Sequence, residues 1–556
     1  MRHCPTWSTL TQRAIARVRG RVRKSHPYRT ARVTWLSLCV LALASCSHIS
    51  SVPEFADSPL ERSGELRQCE ALFFATDSQV VALGMRDAQD ASVAGFPYLR
   101  VSRFASQWGR YLSDEPTDVA AGAGVLGQPN GPAPIPTMGA WVAHLRELDR
   151  TARSIEIRNA SLQLDWPALG AVAPAQVTDS SSLLAALDTC AHKMSQHDLS
   201  EPAWRHNLFA KATVPSSYSI AARVMGLYPL TGLPFSYGVA RLHANTRQTF
   251  ATAPSALPVA GTLRRYTPVL TRAAYVLGDV EKLNRRAVGL AGWPDVSHRR
   301  AIADLLDIYA PSWVVDTTGD FDRVGSLAWS PGGLKVAKDT PAAYQFASRT
   351  YVEGKVLLQL NYVVWFSERP QDGMFDLLAG KFDGLMWRVT LDTDGHVLVA
   401  DIVHNCGCYH MMFPSSRLAA RPPSPNWEEP MLVPQLLPVF DPLTERLSIR
   451  LAARTHYAVR VSKVPGKASD VNYQLMPYDA LRSLPGSPHG YASAFGPNGL
   501  IEGTERAERW LFWPMGVASA GAMRQRGHHA VAFIGQRHFD APGLIDRYFV
   551  RSRASK

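Results

Sequence analysis

The chain has 556 residues, 46% apolar and 19% charged, with a formal net charge of +12. Nine of the positive charges fall before residue 33, so the remainder carries only about +3, which excludes the broad basic surface of a nucleic-acid binder. The length calls for two or three domains.

In chain order, the first element is an address. Residues 1–32 hold Arg2, Arg13, Arg17 and six further Lys or Arg but no acidic residue, and Val33 to Ser45 is an apolar run. That run is too short for the roughly 20 residues a membrane-spanning helix needs. It ends on Leu43-Ala44-Ser45-Cys46. A basic flank, a short apolar stretch and small residues form a secretory signal. The final four residues resemble the lipobox of bacterial lipoproteins. That resemblance covers residues 1–46 and implies cleavage before Cys46, acylation of Cys46 (a palmitate among its chains) and attachment to a membrane through this N-terminal lipid. Stable anchoring takes more than one acyl chain, at about 0.8 kcal/mol per buried methylene. Ser47 stands where such lipoproteins commonly carry an inner-membrane retention Asp, so the implied location is the outer membrane facing the periplasm. No second run of 18 or more apolar residues follows.

The expected fold is α+β: signal peptide 1–45, tether 46–57, a mainly helical domain 58–310, and a mainly antiparallel β domain 311–556, with sandwich or barrel open. Ser58-Pro59-Leu60-Glu61 has the chemistry of a helix start, and Leu66, Cys69 and Phe73 follow at helical spacing. Residues 121–137, rich in Gly and Pro, read as a loop. Trp141, Leu145 and Leu148 make a second helical stripe, and Leu183, Leu187 and Cys190 a third. Cys69 and Cys190 therefore sit on apolar helix faces, as buried thiols or as a disulfide pair.

From about Pro311 the period changes. Val356 to Phe366 is nearly continuous in apolar residues, as in a strand buried on both faces. Leu385, Trp387, Val389 and Leu391 alternate with other residues, Asp392 to Gly395 is turn chemistry, and His396 to Val403 resumes an extended pattern. Leu447 to Leu451, Tyr457 to Val461 and His529 to Ile534 read as further strands.

The segment His404-Asn405-Cys406-Gly407-Cys408-Tyr409-His410 is the candidate site. Alternate residues on a strand share a face, so His404, Cys406, Cys408 and His410 would point the same way. A straight strand spreads the outer two about 20 Å apart, while metal–ligand bonds are about 2.0–2.3 Å. One ion therefore requires the chain to curl at Gly407, or ligands from elsewhere, with His456, His489, His528, His529 and His538 as candidates. Thiolate with imidazole suits zinc or copper, and the Met411 and Met412 thioethers would favour copper(I). The spacing matches no standard zinc finger. The same atoms allow thiol–disulfide exchange through Cys406 and Cys408, or structural pairing of these two with Cys69 and Cys190.

Other signatures are weak. Ala328 to Gly332 is a loose nucleophile-elbow variant, and Pro331 with the glycines after it argues against the elbow. Gly503 to Trp510, with Arg524, Arg526, Arg537, His528, His529 and His538, could line a pocket for an anion. The chain therefore reads as an envelope lipoprotein that binds a metal or is a metal-dependent oxidoreductase. The alternative is a non-enzymatic lipoprotein with structural disulfides that binds a glycan, a lipid or a protein.

Overall fold

The computed structural model describes residues 62–114, 137–269, 277–288, 296–422, 428–466 and 470–552. The lipobox with Cys46, the tether, the helix start at Ser58 and the loop 121–136 lie outside the described residues.

The first half is helical, as expected. α1 (Glu65–Ala82) begins after Gly64. A short hairpin, β1 (Ala91–Val93) and β2 (Phe96–Val101), leads to α2 (Arg103–Asp114) and α3 (Met138–Ala160). Thr137 caps α3 by accepting from the Ala140 N–H. After α4 (Trp166–Val172) comes α5 (Ser180–Ser200), where Asp179 and Ser182 form a reciprocal capping box. Leu72, Phe73, Trp141, Leu145, Leu183 and Leu187 from these stripes close one core. Cys69 and Cys190 are joined within it as a disulfide, tying α1 to α5. α6 (Pro202–Lys211), α7 (Ile220–Met225) and α8 (Tyr228–Ala251) follow.

Strands enter the main sheet before Pro311. β3 (Thr262–Pro268) precedes α9 (Leu277–Val288) and α10 (Val296–Ile308), and β4 (Ser312–Thr317) pairs with it antiparallel. β5 (Ser326–Ser330) and β6 (Gly333–Ala337) form a separate hairpin. Its turn holds Pro331 and Gly332, so the Ala328 to Gly332 stretch leads into a strand and not into a helix. The body of the sheet is β7 (Ala342–Val352), β8 (Lys355–Arg369), β9 (Gly380–Leu391), β10 (Val397–His404) and β11 (Met411–Pro414). After β12 (Leu418–Ala420) come β13 (Glu445–Leu451), β14 (Ala458–Pro465) and β15 (Val471–Pro477).

Ten strands join in the order β11-β10-β9-β8-β7-β15-β3-β4-β13-β14, an open sheet. Pairing is antiparallel except for β15 with β7, β15 with β3 and β4 with β13. β8 is buried on both faces: Leu358, Leu360 and Tyr362 pack toward α9 and α10, while Val363 and Trp365 meet Met386 and Val403 on the other side.

Residues 529–534 form no strand. Their pairing is one isolated bridge, Ala530 to His538, because the Val531 N–H turns to the Arg537 carbonyl within the same loop. Two short helices, α11 (Arg509–Phe512) and α12 (Leu544–Tyr548), complete the C-terminal region.

Candidate functional site

β10 stops at His404, and residues 405–410 are the loop that returns the chain into β11. The curl required at Gly407 is present. Gly407 has φ 92°, its N–H donates to the His404 carbonyl at 2.7 Å, and His404 N–H donates to the Cys408 carbonyl at 3.0 Å. A Cβ on Gly407 would lie 2.7 Å from the Ala530 carbonyl oxygen, so only glycine fits. The loop is pinned from behind. The Arg524 N–H donates to the Asn405 carbonyl at 2.8 Å, and its Nε donates to the Cys406 carbonyl at 2.9 Å.

The loop forms one wall of a cavity of about 80 Å³. A single water needs roughly 10–15 Å³, so there is room for several waters or a small ligand. His404, Cys406, Cys408 and His410 all line it; α8 supplies Val239, Leu242 and His243, and the C-terminal region supplies Glu508, Phe512 and Phe533. The four sequence candidates thus share one cavity. Among the described residues, however, no group of three or more His, Cys, Asp or Glu side chains is gathered as a metal site.

Each histidine is held by its own carboxylate. His410 Nε2 lies 3.0 Å from Asp401 Oδ2, and Asp401 is gripped by Arg388, whose Nε donates to Oδ1 at 2.9 Å. His404 Nδ1 lies 3.4 Å from Asp383 Oδ1. Asp383 Oδ2 meets His456 Nδ1 at 2.8 Å, and His456 Nε2 lies 3.3 Å from Asp322 Oδ1. Asp322, His456, Asp383 and His404 therefore form a buried chain of alternating carboxylate and imidazole, with the Arg506 guanidinium 3.5 Å from Asp383. The other ring nitrogens, His404 Nε2 and His410 Nδ1, are buried and have no hydrogen-bond partner.

The protonation states follow. Burial holds the His404 and His410 imidazoles below their usual range, outweighing Asp383 and Asp401. His456 goes the other way: burial would lower it, but hydrogen bonds to Asp322 and Asp383 win and raise it. Asp383 is held well below the carboxylate range, since His404, His456 and Arg506 outweigh its burial. Interaction between the two loop thiols lowers Cys406 and raises Cys408, with burial adding to the rise of Cys408. Both are free cysteines, so structural pairing with Cys69 and Cys190 is excluded by the disulfide between those two. Burial pushes the Glu508 carboxyl up to about 7.

The distant ligand candidates stand elsewhere. His456 supports His404 from behind, and His489 is exposed. His528 Nε2 meets the Ala88 carbonyl, His538 Nε2 accepts from the Ser217 N–H, and buried His529 lies off the cavity. The C-terminal arginines do not converge on an anion pocket. Arg524 and Arg537 donate to backbone carbonyls and Arg526 to Gln89.

Sequence reading missed Asp383, Asp401 and His243. For the two aspartates a signal existed: a lone carboxylate in an otherwise apolar strand must find a buried partner. Asp401 also stands directly across the β9–β10 ladder from Arg388.

Comparison of the chain with protein-family models, with curated proteins and with solved structures gave no match.

Proposed function

We propose that the chain is an envelope lipoprotein tethered through Cys46, and that its cavity binds zinc or copper through Cys406 and Cys408 with His404 and His410. One observation supports this above others. In both histidines a buried carboxylate holds one ring nitrogen, while the other nitrogen is buried without a partner, on residues that share the cavity wall with two thiols. Metal-ligating imidazoles almost always rest their second nitrogen on such a group. The ligating form is the neutral ring, which burial favours here. Met411 on the same wall adds a soft thioether that copper(I) prefers. Thiols lose protons on binding a metal, and Glu508, near neutrality, is placed to receive one. A bound ion would supply Lewis-acid or electron-transfer chemistry to whatever fills the rest of the cavity.

Elemental analysis of the purified protein tests the reading. One thiophilic ion per chain is expected, with loss in Cys406→Ser/Cys408→Ser; equal metal in both proteins defeats it.

A second reading is favoured by the contact between the two thiols. The Cys406 thiolate would attack a small disulfide and release one thiolate. Cys408 would then displace the other, leaving a Cys406–Cys408 disulfide and passing two electrons to the substrate. Peptide mapping without reductant, before and after a small disulfide is added, reads that product. A purely binding role for a glycan, a lipid or a protein predicts neither the metal nor the new disulfide.

A further inference from the structure

Helices α7 and α8 carry a surface that the cavity chemistry does not use. Their inner side is packed: Phe235 meets Phe512 at a ring separation of 5.2 Å, and Arg223 donates to the carbonyls of Met515 and Gly535. The outer side is apolar as well. From Ile220 to Tyr237 no exposed position bears a charge. Val224 is 69% exposed, Leu230 67% and Tyr237 69%, with Met225, Leu227 and Leu233 beside them. Leu227, Leu230, Pro234 and Tyr237 recur at helical spacing on one face. Trp510, 70% exposed, and Trp513 stand on the adjoining C-terminal turns, which pack against both helices. A helix apolar all round is one whose outer side is also covered, and monomers rarely expose contiguous patches of this kind.

We propose that this face docks on the surface of an anionic phospholipid bilayer. Charge selects that occupant. α8 carries Arg241 and the exposed Arg247, and neither α7 nor α8 has an Asp or Glu, which suits anionic headgroups. Trp510, Trp513 and Tyr237 have the amphipathic rings that settle at the membrane interface. No helix of the described residues is long and apolar enough to cross a membrane, so α8 lies in the interface plane. The docking rests on the envelope reading only for delivery of the chain to a bilayer; it is independent of what the cavity binds. Val239, Leu242 and His243, on the next turns of α8, line the cavity.

The test uses the full-length protein with vesicles of phosphatidylcholine, with and without phosphatidylglycerol, containing brominated phospholipid. Quenching is read as the difference between wild type and Trp510→Phe/Trp513→Phe, which isolates these two rings. The difference should be clear, stronger with phosphatidylglycerol and weakened by salt. Leu230→Glu/Leu233→Glu, at exposed positions and checked for intact circular dichroism, should reduce it, and lower vesicle partition of unacylated protein roughly tenfold or more. No difference in either lipid overturns the proposal. So does a stable dimer that Leu230→Glu dissociates, because a second copy would then cover the face. The mass of the N-terminal peptide reports acylation of Cys46 separately, so the anchor and the docking face can fail independently.

Discussion

The Glu508 carboxyl makes the cavity sensitive to pH at the residue scale. Its ordinary value is 4.5 and burial raises it to about 7. The folded chain therefore holds a proton that the unfolded chain has released between those values. Linkage gives the sign: stability from this group is complete below about 4.5, falls as pH rises toward about 7 and is flat above. The largest loss is about 3 kcal/mol at 1.36 kcal/mol per pH unit. Urea unfolding of wild type and Glu508→Gln at pH 5 and pH 8 isolates this group, since the buried histidines contribute equally to both: the stability difference between the two proteins should shift by most of that amount. An unchanged slope in the variant would place the ionisation elsewhere. Asp383 acts in the opposite sense, as the anion between His404 and His456. Asp383→Asn leaves the raised His456 with Asp322 alone and should cost about 3 kcal/mol, with the histidine's titration, read by NMR, moving down.

At the scale of elements, Gly407 decides the loop. Gly407→Ala combines a positive φ with a Cβ 2.7 Å from the Ala530 carbonyl oxygen. It should destabilise by about 2 kcal/mol or more and speed the labelling of Cys406 by a thiol reagent as the loop lifts. The disulfide between α1 and α5 closes a segment of 121 residues. Cys69→Ala/Cys190→Ala should lower stability by about 2–5 kcal/mol, read in the urea midpoint. These elements were largely readable from local pattern. Leu183, Leu187 and Cys190 announce a helix face, the alternation of β9 with Asp392 to Gly395 announces a hairpin, and the continuity of β8 announces burial on both sides. What local pattern could not carry is pairing between distant segments. β3 lies in a helical stretch and enters the sheet because β15 and β4 flank it. His529 to Ile534 has the composition of a strand, but the Val531 N–H and the His529 carbonyl are taken by residues 537 and 539 of its own loop and the Ile534 carbonyl by the Glu429 N–H. The cavity was half readable: four residues in one heptapeptide named it, while His243 lines it, and Asp383 and Asp401 support its histidines, only through tertiary packing.

Across the whole molecule, the helical half and the sheet half are bolted together by buried charge. Asp87, between α1 and β1, receives Arg482 NH2 at 2.6 Å and Nε at 3.0 Å, and the Gln525 side chain at 3.1 Å. Asn159 of α3 donates to the Arg482 carbonyl, and Arg526 reaches Gln89. Arg482 is fully buried, so loss of Asp87 leaves its guanidinium with Asp479 as its one remaining carboxylate partner. Asp87→Ala should therefore cost about 3–5 kcal/mol, more than a surface ion pair could. Its pH behaviour is also fixed. Despite burial, Arg482 and Arg100 hold the Asp87 carboxyl below 3.8. The wild-type contribution is therefore complete above that value and is lost as pH falls through the depressed one. Because this bolt joins two cores, its removal should also change cooperativity. Wild type should unfold in one urea transition whether followed by far-UV circular dichroism, dominated by the helices, or by pulse labelling of the buried Cys406 thiol at the end of β10. In Asp87→Ala the two signals should separate. Coincident curves in the variant would mean that the apolar contacts between the halves suffice to couple them.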